Sequence, residues 1–293
     1  MYIRLGCYNW SKYRLMIGFL VVIGLIVLLL LNINCANEKY CISSKLNRLP
    51  SNNEIDENIL DVYRKQIPQR QQYLLQVPES NDYSVLYNTL VPEVFCRNLV
   101  RIGFIGDGGK WICNPLNVQS SHECVVYSLG IRDDPSFEEE FQRFTGNKCL
   151  LRSFDKDAQN SSTIQRISAA NGKFMKALIA GKTNELMNHF TFKDIMNRFG
   201  DKRVDILKID IEGAEFDIQD ELISVPICQI LIEIHGKTSK EALQLLQKFS
   251  TSGFYLFSYE INGFNHECAE YGFIHQDCFK NYDIKTIYGK YLS

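Results

Sequence analysis

From Cys124 onward the chain alternates short, almost unbroken apolar runs with amphipathic stretches, and few folds accommodate that rhythm. Cys124 to Leu129 is apolar and ends at Gly130. Pro135 to Phe144 then reads as a helix whose acidic start, Glu138 to Glu140, suits the positive end of its dipole, with Gly146 closing it. Cys149 to Phe154 is a second strand ending in Asp155, and a third is expected around Phe174 to Ile179. Thr191 caps a helix through Phe199 that stops at Gly200. Val204 to Ile211 is the next strand, followed by a helix to about Ile223; Cys228 to Ile234 is another, ending at His235. Ser239 to Ser252 is an amphipathic helix, Phe254 to Glu260 a strand, and Lys285 to Tyr291 is expected to return beside it. Strands apolar on both faces and separated by helices belong to a mostly parallel sheet covered on both sides, an α/β fold.

Upstream, a helix over Tyr83 to Phe95 leads into a small hairpin: Ile102 to Ile105, the turn Gly106-Asp107-Gly108-Gly109, and Lys110 to Cys113. Asn32 to about Tyr83 is polar and reads as a stem; within it Ile55 to Gln66 has the pattern of a short helix with too little apolar surface for a core. Before it, Leu15 to Leu31 carries no charge, and fourteen of its residues are Leu, Ile, Val or Phe. At 1.5 Å of rise per residue it approaches the roughly 30 Å of a hydrocarbon core. Arg4, Lys12 and Arg14 precede it and favour a cytoplasmic N-terminus, which makes a type II, single-pass membrane protein with its C-terminal part in the lumen of the endoplasmic reticulum or Golgi. A cleaved signal peptide is the alternative, but the apolar run is long for one and Asn34-Cys35-Ala36 is a poor cleavage site. The expected plan is a cytoplasmic tail over 1–14, a transmembrane helix over 15–33, a stem over 34–83 and a globular domain over 84–293.

Beyond Cys35 at the end of the span lie eight further cysteines, Cys41, Cys96, Cys113, Cys124, Cys149, Cys228, Cys268 and Cys278. An oxidising lumen permits disulfides among them; Cys113 with Cys124 and Cys268 with Cys278 are near enough in sequence for local pairs, although spacing alone assigns none. No Cys/His cluster has zinc spacing. Asn160-Ser161-Ser162 is a glycosylation sequon. The net charge of −2 includes the N-terminal cations, so the remainder is mildly acidic and is not expected to bind nucleic acid in general.

Ligands of open parallel sheets sit at the carboxyl ends of the strands, near the point where strand order reverses. Four such ends carry candidates: Ser128 and Gly130, then Asp155, then Asp210 and Glu212, then His235. Gly130 lets backbone approach a ligand, and a carboxylate at Asp155, twenty-five residues on, suits a ribose diol. A surface turn and an ordinary aspartate explain the same residues equally well. Arg132, Asp133 and Asp134 make the first turn a poor pyrophosphate cradle, so a ligand with a ribose and no phosphates fits better. If the strand continues through them, Asp210 and Glu212 point to the same side, where two like charges raise one another's pKa or hold a cation. His235 could complete a base or a metal site, or be a hydrogen-bonded structural histidine, and Glu215 could cap the following helix.

Lys208-Ile209-Asp210-Ile211-Glu212-Gly213-Ala214-Glu215 resembles the K-I-D-x-E-G-x-E signature of FkbM-type S-adenosylmethionine-dependent methyltransferases. Asp107-Gly108-Gly109-Lys110-Trp111-Ile112-Cys113, Val126 to Ile131, Ser136-Phe137-Glu138, Phe154-Asp155 and Glu233-Ile234-His235 are similar to segments of animal methyltransferase-like membrane proteins related to that group. The resemblance covers roughly Val85 to Ser293. It implies a Rossmann-like class I methyltransferase fold of seven strands, with S-adenosylmethionine across the first two. Ser128 and Gly130 would line its methionine side and Asp155 its ribose; Asp210 and Glu212 would lie where the sulfonium meets the acceptor, and Asp210 or His235 would take the acceptor's proton. The first motif reads Ser128-Leu129-Gly130-Ile131 instead of an acidic residue followed by Gly-x-Gly.

The function so implied is O-methylation of a hydroxyl on a glycan or small molecule in the secretory pathway. The alternatives are a catalytically inactive domain that keeps the fold as a binding scaffold, and a glycosyltransferase, for which Asp155-Lys156-Asp157 matches the Asp-x-Asp metal triplet, although Asp155 is assigned to the ribose.

Overall fold

The computed structural model describes residues 55–119 and 124–293. The expected transmembrane span and cytoplasmic tail lie outside these residues, as does Cys41; among the described residues no helix is long and apolar enough to cross a membrane.

Two short pairs, β1 (Leu99–Ile102) with β2 (Lys110–Cys113) and β6 (Leu178–Ile179) with β7 (His189–Phe190), lie outside the central sheet, which is formed by seven strands: β3 (Cys124–Leu129), β4 (Cys149–Asp155), β5 (Gly172–Lys176), β8 (Val204–Ile209), β9 (Ile227–Ile234), β10 (Phe254–Ile261) and β11 (Ala269–His275). Their spatial order is β10-β11-β9-β8-β3-β4-β5; β11 runs antiparallel to both neighbours and the other pairings are parallel. From β3 the chain moves to β4 and β5 on one side, then crosses back to β8 and β9 on the other, so the reversal of strand order falls between β3 and β8. The central strands β3, β8 and β9 are buried along their whole length, because alternate side chains serve two cores. Tyr127 and Leu129 pack in one core with α5 (Phe192–Phe199), α6 (Glu215–Leu222) and α7 (Ser239–Thr251), whereas Val126 packs in the other with Phe137 and Phe141 of α3 (Ser136–Thr145).

Most helix ends were legible. Thr191 accepts from Asp194 N and Gly200 closes α5 in the left-handed conformation; Gly146 does the same for α3. Between Asp155 and β5 an unexpected helix, α4 (Ser161–Ala169), is capped by the Asn160 side chain, and it carries only two buried residues, Thr163 and Ile167. That sparse apolar stripe hid it. The sequon asparagine is therefore also a helix cap, and it is exposed.

Three expectations are corrected. The expected stem is folded from Glu57: α1 (Glu57–Leu74) buries Leu60 and Leu74, stacks Tyr63 on Tyr288 and donates from Arg70 to the Thr89 carbonyl, so this helix is part of the compact unit that continues to Ser293. Its buried stripe is narrow enough that the segment reads as polar overall. The helix expected to reach Phe95 is α2 (Ser84–Thr89) and stops early, since Pro92 disfavours helical backbone just before it and Leu90 is already extended. The strand expected at Lys285 to Tyr291 is absent; that segment forms only an isolated bridge, Val94 with Ile287, and is otherwise held by bonds from Tyr288 N to the Glu93 carbonyl and from Tyr291 N to the Glu93 side chain. Its place in the sheet is taken by β11, whose Glu270 and Gly272 break the strand pattern. Gly272 is required there, because a Cβ would lie 2.5 Å from the Phe257 ring.

The hairpin forms as expected, with β1 (Leu99–Ile102) paired to β2 (Lys110–Cys113). It packs on the sheet, where the Gln229 side chain bonds both the N–H and the carbonyl of Cys113. Disulfides join Cys96 to Cys113, Cys124 to Cys149 and Cys228 to Cys278, so neither local pair exists and Cys268 is a free, buried thiol. Cys124 and Cys149 open adjacent parallel strands in register, a proximity set by the sheet and not by sequence distance.

Candidate active site

A cavity of about 890 Å³ opens at the carboxyl ends of β3, β4, β8 and β9 and is lined by Gly130, Asp155, Asp210, Glu212, Glu233 and His235 among others. Its volume lies within the usual few hundred to a thousand Å³ of a small-molecule site. It sits at the switch point. Gly130 N donates to Phe154 O and Asp210 N to Leu129 O, and a Cβ on Gly130 would lie 1.7 Å from the Asp210 carbonyl. With φ at +82°, only glycine fits there. The buried Lys208 ammonium donates to the Gly130 carbonyl at 2.6 Å and fixes the two strand ends further.

Asp155 sits on the cavity wall, but its carboxylate is largely used by the chain itself. One oxygen accepts from Ile131 N and Arg132 N at 2.9 and 2.8 Å, and the other from Asp157 N at 2.8 Å. Of roughly four lone-pair sites on a carboxylate, one is left. The expected two-handed grip on a diol is thereby reduced to one hydrogen bond, and the main work of Asp155 is shaping the loop after β3. Ser128 does not reach the cavity: it is fully buried and its hydroxyl donates to the buried Glu138 of α3. Strand alternation puts it on the face opposite Tyr127, beneath the helix.

The other end of the cavity is crowded with charge. Lys110, 1% exposed, reaches up from the hairpin and donates to Glu270 at 2.6 Å; it lies 3.4 Å from Asp210 Oδ2 and 4.0 Å from Glu233. Burial opposes its charge, but Glu270, Asp210 and Glu233 outweigh that and raise its pKa. One cation among three carboxylates cannot stabilise all of them equally. Burial pushes Glu270 up to about 8, with Glu233 adding to the rise, and Glu233 is itself raised by burial and by the Asp210 charge. Burial also acts against ionised Asp210, yet Lys110, Lys208 and His235 together hold its carboxyl below the usual range.

His235 stands beside this group. Its Nδ1 meets the fully buried Glu215 at 2.8 Å, while Nε2 faces the cavity 3.9 Å from Asp210 Oδ1 and 3.7 Å from Glu212 Oε2. Burial disfavours the imidazolium, but Glu215, Glu233 and Asp210 overcome it and push the pKa up to about 9. Glu215, expected as a helix cap, is instead the group that orients this ring. Asp210 and Glu212 converge on it by a different route from the one expected. The strand ends at Ile209, and Glu212 and Gly213 both adopt positive φ, a turn that brings the Glu212 side chain back towards the histidine. Glu212 keeps its other oxygen on Arg132 at 2.9 Å.

Reading the sequence alone left Lys110, Glu233 and Glu270 without roles. Lys110 lay in a stretch with the look of an ordinary hairpin turn, and Glu270 in a strand that was not foreseen; a lysine and glutamates embedded in otherwise apolar strands were the available signal.

A seven-stranded sheet of this order, with one antiparallel strand and a cavity at its switch point, defines a methyltransferase-type Rossmann-like protein. Residues 54–275 match the family described as "Methyltransferase domain", and the chain belongs to that family. It is 29% identical over 125 residues to probable methyltransferase-like protein 24 of Homo sapiens, and equally to that of Rattus norvegicus; each match covers 39% of this chain and 33% of the relative. The aligned part is thus about a third of those proteins' length. Among solved structures, precorrin-6y C5,15-methyltransferase of Geobacter metallireducens aligns with a TM-score of 0.38 at 10% identity, over 55% of this chain and 84% of that one. Human methyltransferase 10 domain containing protein aligns with a TM-score of 0.34 at 8% identity, over 56% and 83%.

Proposed function

We propose that this chain is an S-adenosylmethionine-dependent methyltransferase that methylates a hydroxyl on a glycan or small molecule. The observation that carries the reading is the division of one switch-point cavity into two ends: a loop shaped by Gly130 and Asp155, and a polar cluster of Asp210, Glu212 and His235. The residues fit the cofactor. Gly130 places no side chain in the way, the one lone pair left on Asp155 suits a ribose hydroxyl, and acidic walls suit a sulfonium and an amine. When bound, S-adenosylmethionine supplies an electrophilic methyl group and leaves as the neutral thioether. The chain's own residues have the remaining tasks of orienting the acceptor oxygen and removing its proton; the ionised Asp210 is the group placed to receive it, because the His235 imidazole, its pKa pushed up to about 9, already holds a proton near neutral pH.

Residence in the secretory pathway, with this domain luminal and the Leu15 to Leu31 segment as its anchor, is part of the same reading. Three disulfides within the domain and an exposed sequon at Asn160 support it, since such bonds persist in oxidising compartments. Protease protection of the domain in sealed microsomes tests the topology. For the chemistry, the full-length chain is incubated with methyl-labelled S-adenosylmethionine and fractionated glycan and small-molecule acceptors. Label in an acceptor fraction, lost in Asp210→Asn, is expected; label no higher than with heat-inactivated chain would remove the proposal and favour the inactive scaffold.

A further inference from the structure

At the polar end of the cavity the cations other than His235 are engaged elsewhere. Lys110 is shared among Glu270, Asp210 and Glu233, Lys208 donates to the Gly130 carbonyl, and Arg132 is taken by Glu212 Oε1. Glu212 Oε2 and Asp210 Oδ1 remain directed at His235 Nε2, and one ligand atom from each of these residues lies within 4.8 Å of the others. Behind the ring, Glu215 is fully buried; one of its oxygens holds Nδ1 and the other has no hydrogen-bond partner. A carboxylate so placed favours positive charge on the ring, supplied either by the ring's own proton or by a metal ion that displaces the proton from Nε2.

We propose that Asp210 Oδ1, Glu212 Oε2 and His235 Nε2 bind a divalent first-row transition ion, of the Mn²⁺ class, on the acceptor side of the cavity. The two carboxylates suit Mn²⁺, the imidazole nitrogen is a donor that disfavours the oxygen-selective Mg²⁺, and three protein ligands leave coordination positions open. Ligands about 2.1 Å from one ion stand about 3.0 Å apart when adjacent and about 4.2 Å when opposite. The observed separations of 3.7 and 3.9 Å lie between these, so small side-chain rotations complete the site, and the half-exposed Glu212 is free to make them. Glu215 acts as the carboxylate behind a metal-bound histidine: it fixes the ring and leaves Nε2 pointing at the ion. The open positions face the cavity, where an acceptor bearing neighbouring oxygens, such as a vicinal diol, would complete the shell and have its hydroxyl acidified. The role of the ion rests on the methyl-transfer reading above; its binding does not.

The test is titration of Mn²⁺ alone into the chelator-treated full-length chain, followed by electron paramagnetic resonance. One bound ion per chain is expected. Glu212→Gln, a half-exposed change that leaves the fold intact by circular dichroism, should weaken binding at least tenfold, and Glu215→Gln by about 10- to 100-fold. No Mn²⁺ uptake by the folded wild type, or equal uptake by Glu212→Gln and His235→Gln, would overturn the site. Binding of S-adenosylmethionine without any Mn²⁺ uptake overturns the metal site and leaves the methyltransferase reading standing. Mn²⁺ uptake lost in both variants, with no methyl transfer to any acceptor, upholds the metal site and counts against that reading.

Discussion

The two ends of the cavity are built on opposite principles. At the β3–β4 end the functional carboxylate is consumed internally: Asp155 satisfies three backbone amides and has little capacity to spare. At the β8–β9 end the carboxylates outnumber their partners, and Glu233, Glu270, Glu212 and Asp210 compete for Lys110, Arg132 and His235. The first end is rigid before any ligand arrives. The second gains when positive charge or a hydrogen-bond donor enters, which is the property expected of the place where acceptor and reactive group meet.

Four substitutions bear on that contrast. Lys110→Met should have the largest effect, since it leaves the buried Glu233 and Glu270 and the partly buried Asp210 without the cation they share; a loss of about 3–5 kcal/mol in denaturant unfolding is expected. A loss below about 1 kcal/mol would mean the cluster is not under electrostatic load. Asp155→Ala strands buried amide donors in the loop after β3 and should destabilise by about 2–3 kcal/mol as well as weakening cofactor binding. If affinity drops while stability is unchanged, Asp155 is a ligand-binding group more than a structural one. Ser128→Ala removes a hydrogen bond to buried Glu138 and should cost about 1–2 kcal/mol with cofactor affinity unaltered; a change in affinity would put Ser128 back in the site.

The fourth concerns pH. Glu270 has its pKa raised from 4.5 to about 8, so the folded state prefers the protonated form. Folded chains then bind more protons than unfolded ones, and stability from this group is present at low pH and declines as pH rises from about 4.5 through 8. Glu270→Gln resembles the protonated acid. The difference in unfolding midpoint between wild type and Glu270→Gln should shift in favour of the variant between pH 5.5 and 8.5; a constant difference would contradict the raised pKa.

The contrast also explains what the sequence disclosed. Buried parallel strands, capped helices and the Lys208–Glu215 octad are local patterns, and they place Gly130, Asp155, Asp210 and His235 at strand ends without any three-dimensional knowledge. What was hidden depends on long-range pairing. Lys110 meets Glu270 across 160 residues of chain, Cys228 finds Cys278, and β11 inserts between β9 and β10 with a pattern diluted by Glu270 and Gly272. Strand direction misled in one case, because Ser128 shares the β3 carboxyl end with Gly130 but points under α3. Glu212 reached the expected neighbourhood through a positive-φ turn instead of a continued strand.

Equilibrium dialysis of the full-length chain against labelled S-adenosylmethionine tests the central claim most directly. The account predicts about one equivalent bound per chain, displaced by S-adenosylhomocysteine. No saturable uptake by a chain whose circular dichroism and unfolding transition are intact would contradict it.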